Sequence, residues 1–363
     1  MLETSLRVLD KLVEQGYKAY IVGGFVRDYI LGIDSSDIDI TTNATPKQVK
    51  EIFEDACLPV EDYGSVDIMY KGVRFEITTF RRESLYVDNR KPIEIKYIDD
   101  LYEDLTRRDF TINTICMNKD GEIIDFLKGK ADIEDRIIRT VGDADEKFSQ
   151  DALRILRAVR FATNLDFSLS ADVKEAIIKN RQHIKNLSYH RKKQELDRIF
   201  TSSNSMKGIA MLLDLGLDKV LELKNLDKVK ENDSLIGVWS LLDVEERYPF
   251  TKNEKSLISN IQKVYELNEL DQMVLYKYGL YVCSVVATMK TGSKKEVTEI
   301  YNNLPIQDRS DLNITTEDII ECLKKEPGPF LTEIYEKVEE EVISSRIQND
   351  KDQILRFIEE QYL

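Results

Sequence analysis

Histidine occurs only twice in the 363 residues, at His183 and His190, which leaves no cluster for a histidine-rich metal phosphohydrolase centre. The four cysteines, Cys57, Cys116, Cys283 and Cys322, stand far apart, without a CxxC pair and in apolar contexts such as TINTICM. They read as reduced core residues, which excludes a disulfide framework and a zinc knuckle. No apolar run approaches the roughly 18 residues that span a bilayer, and MLETSLRVLDKLVEQ carries charges where a secretory signal has an apolar core. The expectation is a cytoplasmic protein with no membrane partner. A surplus of positive charge is missing too: the net charge of −15 argues against unselective coating of nucleic acid, which draws on Lys and Arg to release counterions. There is no GxxxxGK[ST], so a P-loop nucleotide site is unsupported.

What is present divides the chain in two. With 42% hydrophobic residues, its length suits two to four packed units. Up to about residue 128 the pattern alternates between helical and strand periods. Leu6 to Glu14 has helical apolar spacing, AYIV reads as a strand running into Gly23-Gly24, FVRDYILG as a helix stopped by Gly32, and SSDIDIT as a strand. ATPKQVKEIFEDA follows as a helix with Thr45 as N-cap and Pro46 in its first turn. SVDIMYKG and VRFEITTF are strands joined at Lys71-Gly72, and RRESLYVDNRKPIEIKY, charged and broken by Pro92, reads as a long mobile loop. DLTRRDFTINTICMN and GEIIDFLKG predict a helix and then a hairpin turning at Asn118 to Gly121. Beyond Gly129 the period is helical almost throughout, beginning with SQDALRILRAVRFATNL as one amphipathic helix.

Three features carry chemistry. Asp37 and Asp39, two residues apart on a strand, project to one face, where their oxygens can converge on divalent ions; Glu76, on a neighbouring strand, is a candidate third carboxylate. Gly23-Gly24 between strand and helix lets backbone amides and Arg27 approach a triphosphate. Asp151 and Arg154, three apart on the expected helix, could form a surface ion pair or could both face a base. In the second case the carboxylate accepts from the exocyclic amino group that cytosine and adenine share, and the guanidinium donates to ring acceptors. Each feature alone has an ordinary explanation: a chance acidic pair, a plain turn, a solvated helix face. Between Gln150 and Phe200 eleven Lys and Arg stand against six Asp and Glu, a local basic excess in an acidic chain.

With GGFVRD, DIDIT, RRDFTIN and DALRILRAVRFA in this order, the chain resembles the class II tRNA nucleotidyltransferase and bacterial poly(A) polymerase family. The resemblance implies an α/β polymerase β-like palm at 1–128, then an all-α neck at 129–200 with the base-template helix, a body at 201–265 and a tRNA-binding tail at 266–363. It implies Asp37 and Asp39 as magnesium ligands with Glu76 in support, and nucleotide contacts from Gly23, Gly24, Arg27, Arg108, Asp109, Asn113, Asp151, Arg154, Arg157 and Arg160. One departure stands out: the family often has Glu-Asp where this chain has Gln150-Asp151.

The implied reaction is template-independent addition of CCA to the tRNA 3′ end from CTP and ATP, with release of pyrophosphate and with Mg²⁺ as cofactor. The segment RRESLYVDNRKP, with Arg82, Glu83, Tyr86, Asp88 and Arg90, resembles the flexible segment that CC-only enzymes lack. Addition of A alone, poly(A) synthesis and a noncatalytic RNA-binding protein are the alternatives. An acidic chain that binds tRNA needs a restricted basic track, for which Arg191, Lys192, Lys193, Lys294 and Lys295 are candidates. No feature calls for an obligate protein partner.

Overall fold

Apolar residues at Val8, Leu9 and Leu12 give the first helix one buried stripe, and that stripe packs it on the sheet that follows. The computed structural model describes residues 1–35, 37–54, 57–62, 64–87 and 91–363, with the side chains of 57–62, 83–87 and 91–94 excepted. The chain forms two compact units, Met1–Glu222 and Leu223–Leu363.

The first unit begins α1 (Leu2–Glu14), β1 (Ala19–Val22), α2 (Gly24–Leu31), β2 (Ile38–Thr42), α3 (Pro46–Ile52), β3 (Cys57–Asp62), β4 (Ser65–Tyr70) and β5 (Val73–Thr79). It continues with β6 (Arg81–Val87), β7 (Lys91–Tyr97), α4 (Leu101–Thr106), a 3₁₀ turn at Thr111–Asn113, β8 (Cys116–Met117) and β9 (Ile123–Ile124). Seven of these strands make one sheet in the order β3-β4-β5-β2-β1-β8-β9, with β2 and β5 parallel and the other pairs antiparallel. On β2, Ile38 and Ile40 are buried in the core and Asp39 faces the other way. Thr45 caps α3, as the sequence predicts, and Gln48 completes a capping box with it.

One expectation is corrected here, and one strand appears that was not foreseen. The segment expected to be a mobile loop is an antiparallel ribbon, with β6 and β7 paired from Arg81↔Tyr97 to Val87↔Lys91. Pro92 is tolerated because in a two-stranded ribbon half of the backbone N–H groups point away from the partner. Arg82 pairs with Glu103 at the start of α4, while Asp88 and Arg90 lie outside the described residues. Strand β3, invisible in CLPVED because of Pro59, is an edge strand, where a missing donor costs little.

The helical part of this unit contains α5 (Gly129–Glu134), β10 (Ile137–Ile138), α6 (Ala144–Gln150), α7 (Leu153–Asn164) and β11 (Ser168–Leu169). After these come α8 (Ala171–Asn180), α9 (Tyr189–Phe200), α10 (Ser205–Asp214) and α11 (Leu217–Leu221). Strands β10 and β11 form a small parallel pair that the helical period had concealed. The stretch SQDALRILRAVRFATNL is two helices, because the chain turns extended at Asp151 (φ −141°, ψ 102°) between α6 and α7. Asp151 and Arg154 therefore do not share one helical face.

Gly129, at the head of α5, lies against the 3₁₀ turn so closely that a Cβ there would overlap the carbonyl oxygen of Thr111 and crowd Ile115. Gly129→Ala is expected to cost about 2–3 kcal/mol by overpacking. A lowered thermal midpoint checks it, with weaker nucleotide binding because Asn113 sits on the displaced turn.

The second unit is helical: α12 (Leu235–Leu241), α13 (Lys252–Tyr265), α14 (Gln272–Thr291), α15 (Lys295–Asn302), α16 (Thr316–Leu323), α17 (Phe330–Ile343) and α18 (Lys351–Tyr362). One apolar core gathers Ile261, Val264, Leu275, Val282 and Val286; another gathers Ile319, Ile334, Val338, Ile354 and Ile358. The cysteines Cys116 and Cys283 are free and buried, and Cys322 is free and half-buried. Among the described residues no helix is long and apolar enough to cross a membrane.

Candidate active site

Strand β1 delivers the chain to Gly23, whose backbone (φ 78°, ψ −133°) is open to glycine and not to residues with a Cβ. A side chain there would point at Asp39 Oδ2, 3.6 Å away, and at Arg108 Nη1, 3.8 Å away. Helix α2 then starts with no side-chain cap, so its first-turn amides keep their donors for an anion. These amides border a cavity of about 570 Å³ with Asp37 and Asp39 on one side and α7 on the other.

The cavity collects Gly23, Gly24, Arg27, Asp37, Asp39, Arg108, Asp109, Asn113, Arg157 and Arg160, ten of the thirteen residues expected at the catalytic and nucleotide site. Glu76, Asp151 and Arg154 are not among its lining residues. Glu76 stands beside Asp39 as its register partner in the parallel β2–β5 pair, and Asp67 follows on β4, so three carboxylates cross adjacent strands. Asp67 is neutralised by Arg74 at 2.6 Å. Asp39 is open to the cavity yet enclosed by protein on its other sides. Burial first, then Glu76 and Asp37, push its pKa up to about 6 against the opposing pull of Arg108 and Arg157.

A chain of polar contacts ties the sheet to α7. Arg27 binds Asp28 (2.7 Å) and donates from Nη1 to Asn113 Oδ1 (2.8 Å). Asn113 Nδ2 donates to Asp109 Oδ1 (3.2 Å), and Asp109 Oδ2 accepts from Arg157 Nε and Nη2 at 2.7 and 2.6 Å. Burial alone would raise the pKa of Asp109, but Arg157 and the amide of Asn113 hold its carboxyl well below the usual carboxylate range.

Asp109→Asn should cost about 2–3 kcal/mol at pH 7, since Arg157 loses its buried partner. The folded pKa of Asp109 lies below its unfolded value, so the pair's stabilisation is present above about pH 4 and is lost as acid protonates the parent. The gap between the unfolding curves of parent and variant should therefore narrow steadily as pH falls below about 4 and close only in stronger acid, where the native carboxyl itself takes up its proton.

Phe161, one residue past Arg160 on α7, was not foreseen. The guanidinium carbons of Arg160, Arg157 and Arg27 lie 4.4, 5.2 and 5.3 Å from the centre of its ring, so one aromatic ring gathers three cations. Asp34, Ser35, Asn164, Leu165 and Arg198 also line the cavity. The run R-x-x-R-F could have pointed to Phe161, but Arg198 lies on α9 at no telling spacing.

Arg154, buried, donates from Nη1 to Lys147 O (3.2 Å) and Gln150 Oε1 (3.4 Å) and from Nη2 to Arg107 O (3.4 Å). Asp151 Oδ1 accepts from Leu153 N (2.9 Å) and so caps α7. Arg108 approaches buried Asp104 at 3.6 Å, and its Nε is buried without a hydrogen-bond partner.

The candidate RNA track is uneven. Arg191, Lys294 and Lys295 are exposed, Lys295 lying 3.9 Å from Glu299. Lys193 is half-buried and binds Asp197 at 2.8 Å. Lys192 is corrected as a surface residue: α9 turns it inward, 2% exposed, over the ring of Tyr189.

A mixed sheet that presents Asp37 and Asp39 beside an uncapped glycine-led helix, across an arginine-rich cavity, defines a nucleotidyltransferase. Residues 19–139 match the Poly A polymerase head domain, 166–226 an RNA and SrmB- binding site of polymerase A, and 246–358 a tRNA nucleotidyltransferase domain 2. The CCA-adding enzyme of Staphylococcus haemolyticus is 34% identical over 97% of this chain and 96% of its own length. That of Bacillus subtilis is 33% identical over 96% of each. The solved CCA-adding enzyme of Bacillus stearothermophilus in complex with CTP superposes with a TM-score of 0.83 at 27% identity, over 99% of this chain and 97% of that one. The chain belongs to the CCA-adding enzyme family of tRNA nucleotidyltransferases.

Proposed function

We propose that this chain adds CMP, CMP and AMP in turn to the 3′ end of tRNA, from CTP and ATP, releasing pyrophosphate. The observation that carries the proposal is the single cavity on which the DxD pair, the α2 N-terminus and the arginines of α7 converge.

The donor set suits Mg²⁺. Asp37 and Asp39 offer hard oxygens into the cavity, and among the described residues no set of three His, Cys, Asp or Glu side chains forms a metal cage. Magnesium characteristically takes one or two carboxylates and completes its shell with substrate phosphates and water. Asp37 and Asp39 would hold it, with Glu76 adding negative charge alongside. When bound, magnesium supplies Lewis acidity that lowers the pKa of the primer hydroxyl and offsets charge on the triphosphate.

The chain's own residues do the rest. First-turn amides of α2 and the guanidiniums of Arg27 and Arg108 orient the triphosphate for in-line attack. Asp109, Asn113, Arg157 and Arg160 fix the position of the nucleoside, and Asp151 and Arg154 read its base. Because Arg154 is anchored to Lys147, Gln150 and Arg107, base reading requires these contacts to be exchanged for the base as the α6–α7 junction shifts. The exposed Arg191, Lys294 and Lys295 would serve the RNA. In function we assign 1–128 to the palm, 129–200 to the neck, 201–265 to the body and 266–363 to the tail, in a cytoplasmic enzyme.

Labelled CTP and ATP offered to tRNA transcripts ending in none, one, two or all three of the terminal residues test the product. Addition is expected until CCA is complete and no further. Long A tails, or A added only to a CC end, would overturn the proposal.

A further inference from the structure

Four of the five guanidiniums lining the cavity have carboxylate neighbours in the protein: Arg27 with Asp28, Arg108 with Asp104, Arg157 with Asp109 and Arg160 with Glu195. Arg198 is the fifth. It is exposed on α9, and among the described residues no carboxylate lies within ion-pair distance of it. Glu195, one turn earlier on the same helix, is buried against Arg160 at 3.2 Å.

We propose that Arg198 binds a phosphate group of the substrate, either in the nucleoside triphosphate or in the phosphodiester of the RNA 3′ end, as a positioning residue for nucleotidyl transfer. The inference rests on the reaction proposed above. Its physical basis is charge. Arg198 stands close enough to Arg160 for their repulsion to register in the latter's pKa, which burial first and then Arg157 and Arg198 bring down to about 10 against Glu195. A cation added beside two others raises the cost of the metal-free, substrate-free state, and an anion in the cavity removes that cost. The planar guanidinium also presents parallel donors to two phosphate oxygens at once. Asp34 lines the same cavity, but neither it nor Asp37 or Asp39 approaches Arg198 within ion-pair distance.

The test compares parent, Arg198→Ala and Arg198→Lys in CMP addition to tRNA lacking its terminal residues. Steady-state constants are measured for CTP and for tRNA over a range of salt, beside equilibrium binding of CTP with calcium replacing magnesium and thermal midpoints. Arg198→Ala should raise one KM by about tenfold or more, with kcat within about threefold and an unchanged midpoint, and Arg198→Lys should recover most of the loss.

If the affected KM is that for CTP and CTP binding weakens in parallel, the phosphate is the triphosphate. If it is that for tRNA and the slope of log KM against log salt shrinks by about 0.7, it belongs to the RNA strand. Both constants within twofold of the parent would overturn the proposal, as would a lowered midpoint that lysine fails to restore, which marks a packing role. Should the parent add no nucleotide at all, the reaction assignment fails; the CTP and tRNA affinities of parent and Arg198→Ala still decide the role of Arg198.

Discussion

Asp39→Asn is expected to lower nucleotide addition by about 10³-fold or more while raising the thermal midpoint of the metal-free protein at pH 8. The loss of rate follows from removing one of the two oxygen donors that face the triphosphate side of the cavity, at a cost in transition-state stabilisation of about 4 kcal/mol. The gain in stability follows from the same carboxylate's surroundings. Asp39 is open to the cavity but enclosed by protein on its other sides, and it stands beside Glu76 in register, with Asp37 two residues away. Its folded pKa of about 6 exceeds the ordinary 3.8. The folded state therefore holds the Asp39 proton more tightly than the unfolded chain, and that advantage is complete below about pH 4 and gone once pH passes 6. Asparagine carries no charge to repel, so the variant's advantage should be full at pH 8 and fade between pH 6 and 4. Millimolar Mg²⁺ with CTP should stabilise the parent and leave the variant almost unmoved. A midpoint for Asp39→Asn below that of the parent at pH 8 in chelator would mean that the acidic ladder is not under strain.

Asp151→Asn and Arg154→Ala are expected to fail differently. Asparagine keeps an oxygen that can accept from Leu153 N, so the cap on α7 survives. It can also present an amide donor where the carboxylate only accepted, which suits the carbonyl of uracil or guanine. Relative kcat/KM for UTP over CTP should rise by about 10²-fold, in line with roughly 1–3 kcal/mol for each base-edge pairing. Arg154→Ala removes a buried guanidinium bonded to Lys147 O, Gln150 Oε1 and Arg107 O. Because the base loses its guanidinium partner, about 2–3 kcal/mol of transition-state binding should go for CTP and ATP alike, and the three orphaned acceptors should cost some stability. Competition between the four nucleotides on one tRNA transcript separates the two outcomes. Unchanged selectivity in Asp151→Asn would show that the base is read elsewhere.

Much of the first unit was legible because its local signals agree with its tertiary structure. Gly-Gly after AYIV, the Thr45 cap and the Ile38/Ile40 alternation each specify one backbone outcome, and together they place Asp39 and the α2 N-terminus side by side on one cavity. What escaped did so for physical reasons. A ribbon of two strands needs no apolar stripe, so β6 and β7 looked like a loop. The break at Asp151 is written in no breaker residue; the apolar period runs through it, and only the aspartate's own bond to Leu153 N marks the new helix. Lys192 sits within a basic run that reads as surface, yet the ring of Tyr189 three residues before it gives the ammonium a buried place. Arg198 could not be foreseen at all, because its distance from Arg160 is set by how α7 and α9 pack and not by any spacing along the chain.

The central claim is that one cavity serves both nucleotides, and the most direct measurement is equilibrium binding of CTP and ATP to the same preparation, with calcium in place of magnesium. One nucleotide per chain is predicted, with ATP displacing CTP competitively and Asp39→Asn weakening both. Two nucleotides bound at once, or ATP binding that leaves the affinity for CTP untouched, would contradict it.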